Sequence, residues 1–428
     1  MTRNVKVLSG VSLAQDAASE LVYPLLPVLL TTVLGAPAAV VGLIEGIAEG
    51  VAAALKYVSG RISDRVGRRP AVLAGYGLAA MGKVVVAAAM VWPMVLAGRV
   101  VDRIGKGIRG APRDALLAEE VPAESLGRAF GFHRAADTVG AVVGPLLGIA
   151  VLTATGGEIR AALWLAVVPA VLSVGLILLV RENRPTAAAN GPTSSHPGTP
   201  DGHASPGPAP SPHRPGTAAD PTGARRAEAA PTAAADPTQP LPRPVRALAA
   251  VLGLFALVNF PDALILLRLT EVGLAPTALM GAYALFNVAA AAIAYPAGAL
   301  SDRWPKSRVY AMGLLCFATG YLGLGLVDSP GAAVLLLLAY GGFTGITEGV
   351  GRAWITALAP ATQRGRAQGL FQALGGAGIL VAGLWAGLLW GVGAGAGTVP
   401  LLVSGSVAAA AAVGLLVAGS RLEPGGPR

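Results

Sequence analysis

Asp16 and Glu20 stand four residues apart inside an apolar run, and Glu45 and Glu49 repeat that spacing in the next run. On a helix, residues four apart share a face, so each pair presents two carboxylates together. A third run carries Lys83, and a fourth carries Arg99, Asp102, Arg103, Lys106 and Arg109. A fifth carries His133, Arg134 and Asp137, with His133 and Asp137 again one turn apart. Ionisable groups in apolar runs are costly and face a cavity or a partner. Carboxylates and imidazole so placed can take up and release protons, their affinities displaced by burial and by neighbouring cations. The same carboxylates with His133 have the donor types that pass a divalent metal. The cationic strip Arg99, Arg103, Lys106 and Arg109 could instead bind an organic anion.

At about 1.5 Å of rise per residue, Glu20, Glu49 and Lys106 fall near the middle of their runs. Glu45 comes level with Arg99, and Asp16 with Arg109. Opposite charges at matched depth predict a paired network. The second half of the chain is quieter: Asp262 and Arg268 lie in one run, Glu348 and Arg352 in another. They are accompanied by Asn259, Tyr283, Asn287, Tyr340, Thr344 and Thr347. This asymmetry assigns proton-linked work to Asp16, Glu20, Glu45, Glu49, Asp102, His133 and Asp137. Substrate contacts are expected from Tyr23, Asn259, Asp262, Asn287, Tyr340, Thr344, Glu348 and Arg352.

The elements that must position these groups follow from composition. The chain is 54% hydrophobic and 13% charged, against roughly 25% charged in a soluble domain. It lacks the groups to cover a water-facing surface. Apolar runs of the length that crosses a bilayer as a helix recur along it. They predict spans near 8–34, 38–59, 70–92, 94–118, 128–152 and 160–181, then 246–268, 276–300, 308–327, 332–358, 367–391 and 398–419. All must be helices, because backbone facing lipid satisfies its own hydrogen bonds. Residues 185–244 are rich in Pro, Ala, Gly, Ser and Thr, which predicts a disordered linker. The irregularly spaced His196, His203 and His213 belong to it and make no metal site. Residues 1–184 and 245–428 are then the two folded domains.

A net charge of +9 does not point to nucleic acid, because the basic residues alternate from loop to loop. Arg61, Arg65, Arg68, Arg69, Arg181, Arg184, Arg303, Lys306, Arg308, Arg364 and Arg366 fall on one set of loops; the alternate loops have neither Lys nor Arg. That positive-inside bias places the charged loops and both termini in the cytoplasm. One cysteine, Cys316, excludes an internal disulfide, and no cleavable signal peptide is expected.

The chain also repeats itself. Gly60-Arg-Ile-Ser-Asp-Arg-Val-Gly-Arg-Arg-Pro70 reads as a tight basic loop between two runs, and residues 298–308 repeat it weakly with Asp302 and Arg303. One offset separates Asp64 from Asp302 and also Gly127 from Gly365. Outside 185–244 the chain resembles the major facilitator superfamily. The family's loop between helices two and three is met by Gly60, Asp64, Arg65, Gly67, Arg68 and Arg69. Its helix-four pattern resembles Arg99 with Gly105 and Gly107, although Asp102 and Arg103 stand where the family usually has Gln and Gly. Its helix-five pattern is met by Gly140, Gly144, Pro145 and Gly148.

The resemblance implies an all-α membrane protein: two six-helix bundles, 12 transmembrane helices and a major facilitator fold. It implies a secondary transporter that binds substrate near the midplane and rocks one half against the other. The helix-five pattern is associated with exporters that run against a proton gradient. Asp64 is then placed to latch a cytoplasmic gate, and the small residues of helix five to seal packed helices. The expected function is proton-coupled export of a small organic molecule from a monomer in the inner membrane, with the lipid bilayer as its other partner and no cofactor. An organic anion or a divalent metal is the alternative cargo. A membrane enzyme is disfavoured by the lack of a nucleophile elbow or Cys/His cluster, and nucleotide-driven transport by the lack of a Walker sequence.

Overall fold

The computed structural model describes residues 2–119, 121–122, 126–180, 240–360 and 363–419, with backbone alone for 56–66, 119 and 126–127. Thirteen helices of ten residues or more, and no strand, occur among the described residues. In the first half of the chain they are α1 Arg3–Val22, α2 Ala38–Val66, α3 Arg68–Ala87, α4 Trp92–Glu119, α5 Leu126–Ala154 and α6 Ile159–Ile177. In the second half they are α7 Arg243–Ala256, α8 Asp262–Glu271, α9 Pro276–Arg303, α10 Lys306–Leu326, α11 Pro330–Leu358, α12 Arg364–Leu388 and α13 Thr398–Ala418. The helix count therefore differs from twelve.

The difference has a physical cause. The single span expected over 246–268 is broken between Ala256 and Asp262, where Asn259-Phe260-Pro261 interrupts it. Proline has no N–H to continue the ladder and biases the residue before it away from helix. A milder disturbance follows α1. Pro24 and Pro27 coincide with a 3₁₀ turn, Tyr23–Leu25, a helical turn, Leu26–Val28, and a π turn, Leu29–Val33.

The tight loop expected over 60–70 is also corrected. α2 stays helical to Val66 and α3 begins at Arg68, so the connection is Gly67 alone, at φ 93°. Only glycine takes that backbone angle without strain. Gly60, Asp64 and Arg65 are thus helical in backbone, and their side chains lie outside the described residues. In the second half α9 likewise runs through Asp302 and Arg303, and the chain turns at Trp304-Pro305. Arg69 Nη2 donates to the Leu178 carbonyl beyond α6 at 2.8 Å.

Nine helices among the described residues are long and apolar enough to cross a membrane. The four that fall short are α1, α4, α7 and α8. The first two carry the acids and the cationic strip, and the others are the halves of the broken helix. Two of these, α1 and α4, supply part of the polar interior, which also draws on Glu45 and Glu49 of α2, Lys83 of α3 and His133 and Asp137 of α5.

Within the first half, α1 packs on α5 and α6, α4 on α2 and α3, and α3 on α6. Within the second, α10 packs on α11 and α13, α9 on α11, and α7 on α12. The two main seams between the halves are α2 with α12 and α5 with α9, and α2 and the turns after α1 also touch α8. The backbones come close along the first seam: a β-carbon on Gly42 would overlap the Gly383 carbonyl, and one on Gly387 would meet Ala39. One continuous core runs from Leu25, Leu26, Leu29 and Leu30 through Val41 and Ile44 to Leu264 and Leu267. The residues just named lie toward the end of the molecule remote from the basic connections, and the same core also reaches Tyr310, Trp354 and Leu415.

Candidate functional site

Of Lys83, Arg99, Arg103, Lys106 and Arg109, the first three are paired. Arg99 grips Glu45 with both arms, Nε to Oε1 and Nη2 to Oε2, each at 2.7 Å. Its Nη1 also lies 3.4 Å from Asp102 Oδ2, and Lys83 Nζ lies 2.8 Å from Asp102 Oδ1. Arg103 Nη2 reaches Glu49 Oε1 at 2.8 Å and Glu45 Oε2 at 3.7 Å. All these residues except Glu49 are buried. A planar guanidinium matched to a carboxylate is the strong form of such a bond, and each partner offsets the desolvation of the other. The network staples α2, α3 and α4 together.

Glu45 thus pairs with Arg99, at the height the sequence gives both. Asp16 and Arg109 are brought near each other but form no ion pair. Arg109 instead lies over the Tyr76 ring, 4.3 Å from its centre. Asp16 has no hydrogen-bond or ion-pair partner among the described residues, and neither does Lys106. Together with Ser19, Glu20, Tyr23, Arg99, Asp102, Arg103 and Arg109 they line one polar cavity.

Two further carboxylates are held by tyrosines. Tyr283 of α9 donates to Glu20 Oε2 at 2.6 Å, which ties the first half of the chain to the second. Tyr340 of α11 donates to Asp262 Oδ1 at 2.5 Å. Among the described residues no cation lies within ion-pair distance of either acid. Asp262 opens α8, where the positive end of a helix dipole favours a carboxylate. The Tyr23 ring sits 5.7 Å from Tyr283, and Arg99 lies 5.8 Å above Tyr23. Tyr283, Phe286, Tyr340 and Phe343 follow one another as stacked rings.

The other expected substrate contacts are scattered. Asn287 is half-buried with its Nδ2 unpartnered. Asn259 lies in the break between α7 and α8, and Thr344 is half-buried on α11. Glu348 and Arg352 are exposed and bond each other at 2.7 Å, with Arg134 of α5 3.6 Å from Glu348. They lie two and three turns from Tyr340 and do not join the Asp262 cluster. Arg268 points elsewhere, donating to the carbonyls of Leu324 and Val327 and to Asp328 at 2.9–3.0 Å. It caps the C-terminal end of α10.

His133 is buried, with Ser9 Oγ 3.4 Å from its Nδ1 and Asp137 3.8 Å from its Nε2. No group of three or more His, Cys, Asp or Glu converges as a metal site among the described residues. On helix five, a β-carbon on Gly140 would meet Leu13 and Asp16, one on Gly144 would meet Ala17 and Leu21, and one on Gly148 would strike Met280 of α9. Those glycines admit α1, and at Gly148 α9, to close contact. Pro145 stays within the helix. Sequence reasoning missed Ser9 and Tyr76. Ser9 carried one signal, standing two turns before Asp16 on the same face; Tyr76 carried none.

The Major Facilitator Superfamily profile matches residues 8–267 and again 247–428. An uncharacterized MFS-type transporter of Methanocaldococcus jannaschii is 27% identical over 400 residues, 91% of this chain and 89% of that one. The class C tetracycline resistance protein of Escherichia coli is 32% identical over 144 residues, which spans 33% of this chain and 36% of that protein. A multidrug resistance protein of Cronobacter sakazakii is 31% identical over 127 residues, 30% of this chain and 32% of its own length. The crystal structure of the nucleoside transporter NupG superposes with a TM-score of 0.70 over 97% of this chain and 99% of that one. Its 11% identity makes that a likeness of fold. With a profile that recurs in both halves and a relative matched over nearly its whole length, the chain belongs to the major facilitator superfamily and is a multi-pass membrane transport protein, not an enzyme.

Proposed function

We propose that the chain exports a small organic molecule in exchange for protons, rocking residues 1–184 against residues 245–428 about a central cavity. The observation that carries this reading is the Glu20–Tyr283 bond. Glu20 is a half-buried carboxylate held across the two halves by a neutral hydroxyl, with no cation within ion-pair distance among the described residues. An acid so placed can carry a proton or face a substrate, and the bond breaks when the halves part. The apolar seal from Leu25 to Leu267 supports a state closed on one side. By the positive-inside bias that side is the outer one. The resistance proteins among the relatives support export as the direction.

A second cargo class, an organic anion, is favoured by one observation: Lys106 lines the cavity without a partner among the described residues. Purified protein in liposomes, with an imposed pH gradient and a panel of cationic, neutral and anionic compounds, tests both. Transport of at least one compound is expected to follow the gradient and to stop when a protonophore collapses it. Transport that continues unchanged after collapse overturns proton coupling. The charge of the accepted compounds decides the cargo class.

A further inference from the structure

We propose that His133, Asp137 and Asp16 form a proton file in the seam between α1 and α5, leading to Glu20 from the end of the molecule that carries the basic connections. The inference rests on the proton-coupled reading above and deepens it by separating proton carriers from structural charges.

The first support is position. α1 and α5 run side by side in one register: Ser9 meets His133, and Asp16 meets Gly140. Asp137 therefore lies between His133 and Asp16 along the seam. His133 Nε2 lies 3.8 Å from Asp137 Oδ1. A β-carbon on Gly140, one turn past Asp137, would be 3.1 Å from Asp16 Cβ. Glu20 follows Asp16 by one turn on the same face, and each turn advances about 5–6 Å. The file ends at Tyr283, in the other half of the chain.

The second support is what these groups lack. Buried side-chain polar atoms are nearly always hydrogen-bonded, to protein or to ordered water. Among the described residues His133 Nε2 and Asp137 Oδ1 are buried and have no hydrogen-bond partner, and the same holds for Arg109 Nη1 and Tyr76 Oη on the neighbouring α4 and α3. The Asp16 side chain makes no hydrogen bond among the described residues. Glu45, Glu49, Asp102, Lys83, Arg99 and Arg103 are the reverse case, held by short ion pairs. A carboxylate gripped by a buried arginine gives up its place in a relay; Asp137 has only the exposed Arg134, 3.9 Å from its Oδ2, and its Oδ1 stays unpartnered among the described residues.

The charged groups around the file are known element by element. His133 is faced by Arg113 and Asp114 of α4 and by Asp137 and Arg134 of α5. Asp16 is faced by Arg109 and Lys106 of α4, Asp137 of α5 and Glu20 of its own helix. Arg134 approaches Glu348 of α11, α9 presents Tyr283, and α6 brings only Arg160, bonded to the Ala87 carbonyl at the far end. In each step one N–H or O–H proton leaves a donor and reaches the next acceptor, with one bridging water or a side-chain swing closing the 3.8 Å gap. No other bond changes.

The test needs no substrate. The full-length protein in phosphatidylcholine–phosphatidylglycerol vesicles is mixed rapidly into acid while the infrared carboxyl band of Glu20 is followed. That band is identified by its loss in Glu20→Gln. Asp137→Asn and His133→Gln are each expected to slow the arrival of the proton at Glu20 by about tenfold or more, with an unchanged melting temperature. Asp137→Glu is expected to stay near the wild-type rate. An unchanged rate in both Asp137→Asn and His133→Gln overturns the file. If Glu20 of the unaltered protein takes up no proton between about pH 4 and pH 9, the proton-coupled reading fails, and the file fails with it.

Discussion

Glu45 is the residue on which the buried network turns, because among the described residues it alone accepts from Arg99 and also lies within ion-pair distance of Arg103. Removing its charge as Glu45→Gln leaves Arg99 buried, with only Asp102 at 3.4 Å. Breaking one side of a buried pair costs about 3–5 kcal/mol, since the desolvated partner is stranded. The apparent melting temperature in detergent should fall markedly. Lys83→Met should cost less, because Asp102 keeps Arg99. If the two substitutions lower stability equally, the network does not act as a staple. Tyr283→Phe is the opposite kind of change. It removes the one hydroxyl that holds Glu20 across the halves and leaves the stacking on Phe286 in place. A small effect on stability and a large one on the state-to-state equilibrium are expected, read as a changed rate of alkylation of a cysteine placed in the cavity. An unchanged rate would mean that the bond does not bias the state.

At the scale of the helix, contact decides what a glycine is for. A β-carbon on Gly144 would overlap the Ala17 carbonyl and come 2.9 Å from the Leu21 nitrogen, whereas one on Gly175 of α6 would meet nothing within 4 Å. Gly144→Ala should therefore lower the melting temperature, since overpacking costs about 1–3 kcal/mol. Gly175→Ala should raise it, since alanine is favoured over glycine in a helix interior by about 0.5–1 kcal/mol. Equal shifts of one sign would remove the distinction. The glycines of α5 were legible in the sequence because small residues at helical spacing have few other uses in an apolar run. The Glu45–Arg99 pair is legible because depth along two parallel helices can be counted. Asp16 and Arg109 share a depth too, but counting gives height and not the direction a side chain takes around its helix. Pro261 was visible, yet the apolar run masked the break it makes. The helical end of α2 resembles a loop in sequence because glycine and charge are turn signals in water and are tolerated where a helix leaves a membrane.

For the whole molecule, alternating access requires the sealed end to open, and the seam between α5 and α9 is where this can be tested directly. A β-carbon on Gly281 would sit 3.9 Å from Ile149 Cδ1, near the end of the molecule where Leu26, Leu30 and Leu264 close the core. The site has room for a side chain, unlike Gly42 against Gly383. Cys316 is the single native cysteine, so Cys316→Ala provides a clean background. With Ile149→Cys and Gly281→Cys on that background, a short reducible thiol crosslinker should join α5 to α9 in the sealed state. If the halves move as bodies, the joined protein cannot open at this end. Transport of any compound found in the liposome panel should stop and return on reduction. Access of a water-soluble thiol reagent to a cysteine placed at Ser19 should persist from the opposite side, because that side does not have to close for the reagent to enter. Full transport by the crosslinked protein would mean that the seam never parts, and rocking about the central cavity would have to be abandoned.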